Sequence, residues 1–523
     1  MDLLRKLKDK LTRKPVNAAP AGPVNAAPAG PGYGSYGASY ARKALSAWHT
    51  SARSADEDIV DNIETLRARS RDLFMGSPLA AGAIKTVRTN VVGSGLMLNA
   101  QIDAEFLGMT EEAARDWERN VEREWRLWAE TAMCDVERRY TFYQLQALVL
   151  ISALISGDVF VTLPVVKQAG CLYDLRVALI EADRICNPEP MPHTRNILAG
   201  VEVGTYGEPI AYWVARRHPG AFLRNLTDSE QSWKRVPAYG ERSGRRNILH
   251  IMCDAERPAQ RRGVPMLAPV IETLKQLSRY TEAELMAAVV SGMFTVFITS
   301  ERPEMMPGQQ FGQPIDEDEL SYELGNGAIV GLREGEKIET ANPGRPNARF
   351  EHFVLAVCQQ IGSALEIPHE LLIKHFNASY SASRAALLEA WKMFRMRRDW
   401  IVCNFCQPVY EEWLSEAILK GRIDAPGFFD DPAIRAAWCE AEWSGDAPGQ
   451  LDPLKEANAA AVRVAEGFST REREAAELTG LKFEAIVATR AREEDMMRES
   501  GLVEVAPAET EAPAAPEEEE EDG

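Results

Sequence analysis

The chain has 523 residues, of which 45% are hydrophobic and 26% charged, and these ordinary values for a globular protein exclude a wholly disordered or collagen-like chain. Its 59 basic and 78 acidic residues give a formal net charge of −19, which disfavours a protein that wraps duplex DNA, since such proteins are usually basic. Eight cysteines are scattered singly apart from one Cys-x-x-Cys, so the sequence predicts a reducing compartment rather than a disulfide framework.

The two ends of the chain differ from its middle. Residues 1–14 carry six basic and two acidic side chains, with leucines recurring at every fourth position; this suits either a solvated start or a short helix that docks on another protein. The octapeptide PVNAAPAG then occurs twice, and we predict that residues 1–41 are a disordered segment with a flexible linker. Residues 501–523 hold nine acidic and no basic side chains, which predicts a disordered tail. The apolar runs fall short of the roughly 20 residues that cross a bilayer, so no membrane is expected as a partner.

The first part of the body is predicted to be helical. Helices are expected over 56–75 and 78–91, separated at Gly76-Ser77-Pro78, because proline is well tolerated in a first helical turn. Thr110 followed by two glutamates predicts the start of a third helix. Along that helix large apolar side chains recur at helical spacing, which is typical of a packed core face. They are Trp117, Val121, Trp125 and Trp128.

After Gly157 the pattern changes to short strands. Segments rich in β-branched and aromatic residues, separated by Gly, Pro and Asn, predict strands at 159–166, 172–180, 201–206, 210–215 and 248–252. A basic segment lies between residues 216 and 246 and carries a local charge of +5 in an acidic protein. Its basic residues are Arg216, Arg217, Arg224, Lys234, Arg235, Arg242, Arg245 and Arg246.

Helices dominate the second half. The predicted elements are a long helix after Pro265, a strand at 294–298, a polar loop at 301–320, a helix near 347–365, a long helix from about Ser381 and two or three helices within 430–498. The helix before Pro368 should end there, because the residue preceding a proline disfavours helical backbone. Ser379 or Ser381 is expected to cap the next helix, and Pro408 to kink it. The sequence therefore predicts an α+β fold that is mostly helical.

The usual signatures of enzymes are missing. No Gly-Lys pair occurs, so the chain lacks the phosphate-binding loop of a nucleoside triphosphatase. His369, Glu370 and His375 do not have the His-Glu-x-x-His spacing that places two ligands on one helix face. Cys403 and Cys406 have no second pair with which to bind zinc. We predict no catalytic residue, metal site or cofactor, and the residues alone favour a structural or interaction protein.

Seven segments of the body resemble portal proteins of lambda-type tailed bacteriophages. The resemblance runs from about residue 42 to 500, and the number and order of the segments make it specific. They are RARSRDLFMGSPLAAGAIKTVRTNVVGSGL (67–96), ISGDVFV (155–161), IEADRICNP (180–188), ERPAQRRGVPMLAPVIETLKQLSRYTEAEL (256–285), IPHELLIKHFNASYSASRAALLEAWKMF (367–394), GRIDAPGFF (421–429) and WCEAEWSG (438–445).

This resemblance implies a portal-type subunit that forms a ring, usually of twelve copies, at one vertex of the virion capsid. It implies a channel through which double-stranded DNA passes without being read, and docking of the terminase large subunit during packaging and of head-completion or tail connector proteins afterwards. It also implies contacts with the major capsid and scaffold proteins and assembly in the host bacterial cytoplasm.

The resemblance also implies a division of the chain into regions. These are a wing over 42–180, a clip over 181–262, a stem helix over 264–292, a second part of the wing over 293–345, a tunnel-proximal helix and loop over 346–380, and wing-to-crown helices over 381–500. Expected docking residues of the clip are Arg216, Arg217, Arg242, Arg245 and Arg246, and expected DNA-facing residues are Lys374, His375, Asn377, Ser379 and Arg384.

Other interpretations stay open at this point. The basic segment also fits an ordinary solvated surface, and the segment around Lys374 also fits a plain connection between helices. The whole chain could instead be another capsid-associated adaptor or scaffold protein, or a nucleic-acid enzyme whose scattered carboxylates hold magnesium.

Overall fold

The structure is a computed structural model, and it describes residues 38, 42–188, 191–221, 233–292, 296–300, 336–340, 349–376, 379–447, 449, 453–480 and 483–500. The predictions for residues 1–14, for the octapeptide repeats, for 301–320 and 501–523, and for Arg224 and Asn377 lie outside the described residues. The chain separates into two compact units, Met1–Glu57 and Asp58–Gly523, and the packing reported below is that of the second unit.

Helices predominate among the described elements. The helices are α1 (Ala55–Gly76), α2 (Pro78–Val91), α3 (Glu111–Ala129), α4 (Phe142–Ser156), α5 (Ile271–Gly292), α6 (Phe350–Ala364), α7 (His369–Ile373), α8 (Tyr380–Ile401), α9 (Gln407–Leu419), α10 (Pro432–Cys439), α11 (Pro453–Ala465), α12 (Arg471–Thr479) and α13 (Phe483–Glu499). The strands are β1 (Met97–Ala100), β2 (Asp158–Thr162), β3 (Ala178–Ile180), β4 (Ile197–Leu198), β5 (Val201–Val203), β6 (Pro209–Ala215), β7 (Trp233–Pro237), β8 (Ile248–Met252), β9 (Val296–Ser300), β10 (Glu336–Thr340) and β11 (Ala441–Ser444).

Side-chain caps define where several helices begin. Ser77 precedes α2 and accepts a hydrogen bond from the Ala80 N–H, which confirms the predicted break before Pro78. Thr110 accepts from the Ala113 N–H at the start of α3, as predicted. These caps satisfy N–H groups that have no partner within the helix.

The larger of two hydrophobic cores, called here the body core, is built around aromatic side chains. Trp125 meets Phe142, Trp413 and Trp443 edge to face, with ring centroids 5.1, 5.1 and 5.9 Å apart. Edge-to-face contact is favourable because the positive ring edge faces the negative ring face. The predicted core stripe on α3 is confirmed at Val121, Trp125 and Trp128, which are buried, while Trp117 is half-buried and packs against the same core.

A three-stranded antiparallel sheet, in the order β3-β2-β8, divides the two cores. Side chains of a strand point alternately to its two faces. Val159 and Val161 of β2 therefore lie in the body core, whereas Phe160 lies in the smaller core.

The smaller core, called here the sheet core, lies between this sheet and a four-stranded antiparallel sheet in the order β4-β5-β6-β7. Its buried residues are Phe160, Ile180, Ile185, Val201, Val203, Tyr212, Val214, Ala238 and Ile248. The four-stranded sheet thus packs on the face of the three-stranded sheet that points away from the body core.

Several elements differ from the sequence predictions. The strands predicted at 159–166 and 172–180 are shorter, ending at Thr162 and beginning at Ala178. The pattern missed β1 and β11, which pair with each other across more than 300 residues of chain, because each is only four residues long and has no local partner. Four helices, rather than two or three, follow residue 430.

Pro408 lies next to an interruption in the long helix that was predicted from about Ser381. A π-helical segment, Val402–Cys406, joins α8 to α9, and Pro408 falls in the first turn of α9. A π-helical turn contains an extra residue and interrupts the usual hydrogen-bond ladder, so the missing proline N–H falls where that ladder is already changed.

Candidate functional site

The predicted docking residues of the clip lie around the four-stranded sheet. Arg216 and Arg217 follow the end of β6 and are exposed, and Arg242 and Arg246 are exposed on the turn that leads to β8. The guanidinium of Arg246 lies 5.9 Å from the centre of the Tyr239 ring. The structure therefore brings four of the five predicted residues to the surface.

Arg245 has a different environment from its neighbours. Its Nε lies 2.5 Å from Glu412 Oε2 on α9, and its Nη2 donates to the Leu163 carbonyl at 2.8 Å. These contacts tie the turn to the body, so the charge of Arg245 is already compensated within the chain. Arg235 is likewise paired, with both oxygens of Glu202 at 2.8 and 2.9 Å.

The predicted DNA-facing segment begins in a short helix between α6 and α8. Pro368 precedes α7, and Lys374 ends it in left-handed backbone at φ 55° and ψ 41°. The His375 N–H donates to the Glu370 carbonyl at 3.0 Å. Lys374 and His375 are exposed, so both side chains are available to a partner.

The other end of this segment enters α8. Ser379 occupies the residue before the helix but makes no side-chain capping bond, so only its predicted position is confirmed. Arg384 is half-buried and lines a groove of 430 Å³ between α8 and the α11–α12 pair, together with Leu387 and Trp391. Arg384 therefore faces a groove of its own chain as well as solvent.

The structure also contains a buried charged cluster that the sequence analysis missed. Its members, called here the Asp158 cluster, are Asp158, Arg67, Arg262 and His250. Asp158 Oδ2 accepts from Arg262 Nε at 2.7 Å and lies 3.3 Å from His250 Nε2, while Oδ1 accepts from Arg67 Nη2 at 2.8 Å. The available signal was an aspartate at the start of an otherwise apolar strand, since a buried charge must be paired.

The Asp158 carboxylate of this cluster is ionised at neutral pH. Burial by itself would raise the pKa of Asp158, but the charges of Arg262 and Arg67 and the hydrogen bond with His250 hold that pKa well below its ordinary value. Burial, helped by the like charge of Arg262, lowers the pKa of Arg67 to about 10. Burial also lowers the pKa of His250, against the pull of Asp158, so His250 is neutral at neutral pH and donates to the carboxylate.

The described part of the chain has neither a metal-ligand cluster nor a membrane-spanning helix. No group of three or more His, Cys, Asp or Glu side chains there is placed to hold a metal ion. None of the helices described is both long and apolar enough to cross a membrane. This part of the chain has exposed arginines around the four-stranded sheet and a groove beside α8. These are features of a structural or interaction protein.

Comparison with known proteins gives the family. The model described as "Phage portal protein, lambda family" matches residues 41–398, and the chain belongs to this family. It is 27% identical over 494 residues to "Portal protein B" of Escherichia phage lambda, covering 90% of this chain and 91% of the relative. It is 26% identical over 482 residues to "Portal protein" of Escherichia phage N15, covering 88% and 89%. Its function is that of a phage portal protein, a structural component of the virion and of the head–tail connection.

Solved structures show weaker similarity. The "Neck of native GTA particle computed with C12 symmetry" is 13% identical with a TM-score of 0.41, over 79% of this chain and 92% of that chain. The "Neck of empty GTA particle computed with C6 symmetry" is 14% identical with a TM-score of 0.43, over the same shares. At these TM-scores the two necks support no argument about this chain.

Proposed function

We propose that copies of this chain form a closed ring at one capsid vertex, through which the terminase motor packages double-stranded DNA and through which the DNA is later ejected. The observation that carries this proposal is the family match over residues 41–398, which includes the basic turns and the segment around Lys374. The chain contains no Gly-Lys pair and so lacks the phosphate-binding loop of a nucleoside triphosphatase, which fits a channel whose ATP-driven motor is another protein. Capsid, scaffold and head-completion proteins are further partners, and assembly takes place in the host cytoplasm before DNA enters.

The first experiment is the mass of the assembly. Purified protein at moderate salt should give a closed ring of about twelve copies by native mass spectrometry and negative-stain imaging. Subunits of such a ring meet through two different faces. A monomer under every condition tested would contradict the proposal.

A face of α5 supports the ring contact. Tyr280 packs this helix on α6, with its ring centre 4.9 Å from that of Phe353. At about 100° per residue, Leu285 and Val289 lie roughly 140° and 180° around the helix from Tyr280. Leu285, Met286 and Val289 are nevertheless 65%, 58% and 45% exposed. We assign this apolar face to a second copy of the chain, because a ring of these subunits needs contact faces and apolar surface gains most from burial.

The α5 face can be tested without disturbing the subunit. Leu285→Glu with Val289→Glu should shift the protein from rings to monomers, while Glu282→Gln on the same helix should leave rings intact. If the double variant forms rings at the parental yield, α5 is not a contact between subunits. The proposal that the protein forms a ring would be unaffected by that result.

The exposed arginines of the clip form the docking surface in this proposal. Positive charge at Arg216, Arg217, Arg242 and Arg246 suits an acidic surface of the terminase or of a head-completion protein, because complementary charge speeds and orients encounter. Arg245 has its partner within the chain, so its replacement tests stability rather than docking.

The corresponding variant is Arg242→Glu with Arg246→Glu. We expect rings to form normally and DNA packaging to fall at least tenfold. Arg119→Glu with Arg123→Glu on α3 reverses the same number of charges elsewhere and should package normally. Equal packaging by both double variants would refute a docking role for these arginines.

The segment from Lys374 to Arg384 is proposed to contact DNA in the channel. Contacts to phosphate carry no sequence information. Lys374, His375 and Ser379 are exposed, and one lysine without a neighbouring arginine among these three gives each subunit only a weak hold on phosphate. Weak contacts suit a conduit, because each phosphate neutralised by a cation strengthens binding and would slow sliding.

Two changes test the channel assignment. Lys374→Ala, or deletion of 376–380, should spare ring assembly but lower the amount of DNA packaged or retained. Lys374→Arg keeps the charge and should behave like the parent. Filled heads with full DNA retention in both disruptive variants would make this segment a connector between helices.

A further inference from the structure

Arg262 stands at the junction between the four-stranded sheet and the rest of the subunit. The chain enters the four-stranded sheet through residues 182–185 and comes back to the three-stranded sheet at β8. Arg262 follows β8 and is only 1% exposed. Its contacts therefore decide how the chain segments at this junction are held together.

The guanidinium of Arg262 bonds three separate segments. Nε and Nη2 donate to the Asp158 carboxylate at 2.7 and 3.1 Å. Nη1 donates to the carbonyls of Ile185 and Ala199, and Nη2 to that of Ala182, each at 2.7 Å. All five N–H donors of an arginine are used. The segments bonded are the start of β2, the incoming chain and the turn between β4 and β5.

The backbone around this guanidinium is tightly fitted. Gly200, in the β4–β5 turn, has φ +80°, and a Cβ there would lie 2.5 Å from the Cys186 nitrogen. Gly263 approaches Gly157 so closely that a Cβ on Gly263 would lie 1.9 Å from the Gly157 carbonyl oxygen. Neither Gly200 nor Gly263 has room for a side chain, so the backbone segments at this junction are in close contact.

Helix α1 also contacts the Asp158 carboxylate, through Arg67. Arg67 donates from Nη2 to Asp158 Oδ1 and from Nε to the Ser156 carbonyl at 2.9 Å. Arg71, one turn further along α1, donates to Ser156 Oγ at 3.0 Å and pairs with Asp183 in the incoming segment. One buried carboxylate thus connects α1, β2 and the chain on both sides of the four-stranded sheet.

We propose that the Asp158–Arg262 pair is a conformational lock that sets the orientation of the four-stranded sheet on the body of the subunit. The sheet core supplies apolar area, which is non-directional. The pair supplies direction, because a guanidinium fork bonds its partners only in one geometry. The lock goes beyond the portal proposal and does not depend on it. If the exposed arginines of the clip dock a partner, the lock also fixes how they face that partner.

Hydrogen exchange of the intact chain tests the lock. Arg262→Met removes all five bonds, and Arg262→Lys keeps the charge but offers only three donors from a single point. We expect amide exchange to rise at least tenfold in peptides covering 182–186, 199–200 and 260–264. Exchange should stay within twofold of the parent in α4, whose backbone hydrogen bonds lie within the helix.

A matched control separates the lock from ordinary ion pairing. Arg235→Met breaks a two-bond pair with Glu202 inside the four-stranded sheet and should leave exchange at the junction unchanged. If Arg262→Met fails to fold, Arg262→Lys provides the same readout. Unchanged junction exchange in Arg262→Lys, or an equal rise in α4 and the junction, would overturn the proposal. Native mass measured in parallel reports on the ring separately.

Discussion

The body core and the sheet core lie on opposite faces of one three-stranded sheet, yet they are held together differently. The body core gathers residues from Leu73 to Trp443 around clustered aromatic rings. Among the described residues, the sheet core has nine that are buried, all between Phe160 and Ile248, and the Asp158 cluster lies beside it. A large apolar core gains stability from area, whereas a small one also needs directional bonds to define a single arrangement.

The largest effect is expected in the body core. Trp125→Ala removes a side chain that contacts five other aromatic rings, and such truncations cost about 3–5 kcal/mol. Chemical denaturation followed by circular dichroism should show this loss as a lower midpoint. A loss of stability under about 1 kcal/mol would mean that neighbouring side chains collapse into the cavity. The body core would then not be more rigid than the sheet core.

A smaller effect is expected in the sheet core. Val214→Ala removes two methyl groups from a nearly buried position, which costs roughly 1.5 kcal/mol at about 0.8 kcal/mol per carbon. Because small units can open separately, hydrogen exchange should increase in β5 and β6 while α4 keeps its protection. Equal increases in both places would show that the two cores unfold as one.

The Asp158 cluster predicts a dependence on pH. Burial lowers the pKa of His250 in the folded state, so the unfolded chain binds the additional proton and stability is lost as pH falls below the ordinary histidine pKa of about 6.5. Asp158, Arg262 and Arg67 face His250 and stay charged over this range. Between about pH 7 and about pH 5.5 one histidine lowers the free energy of unfolding by about 1.3 kcal/mol at most. His250→Gln should flatten the slope of melting temperature against pH. An unchanged slope would mean that other titrating groups cause the pH dependence.

The smallest effect is expected for Arg235 and Glu202, a pair in which Arg235 is exposed and Glu202 half-buried. Both bonds are short, but exposed ion pairs contribute only about 0–1 kcal/mol because water and salt screen them. Arg235→Ala should therefore shift the denaturation midpoint little, and even less at high salt. A loss comparable to that of Val214→Ala would show that this pair also helps to orient the four-stranded sheet.

The sequence by itself determined the features that depend on near neighbours in the chain. The break between α1 and α2, the cap at Thr110 and the packed stripe through Trp125 follow from turn chemistry and helical spacing. The order of the resembling segments predicted the family, which the match over 41–398 confirms. Four of the five arginines expected on the clip surface are exposed, because turns lie at the surface, whereas Arg245 is paired within the chain.

Only the tertiary structure decided what depends on partners far away along the chain. Strands β1 and β11 pair across more than 300 residues, and a four-residue segment has too little pattern to reveal such pairing. Arg245 and Arg262 both occur in basic stretches, yet one bonds Glu412 and the other Asp158. Charge in a sequence indicates that an ion can be paired, but the fold alone determines which partner meets it and whether water is excluded from the pair.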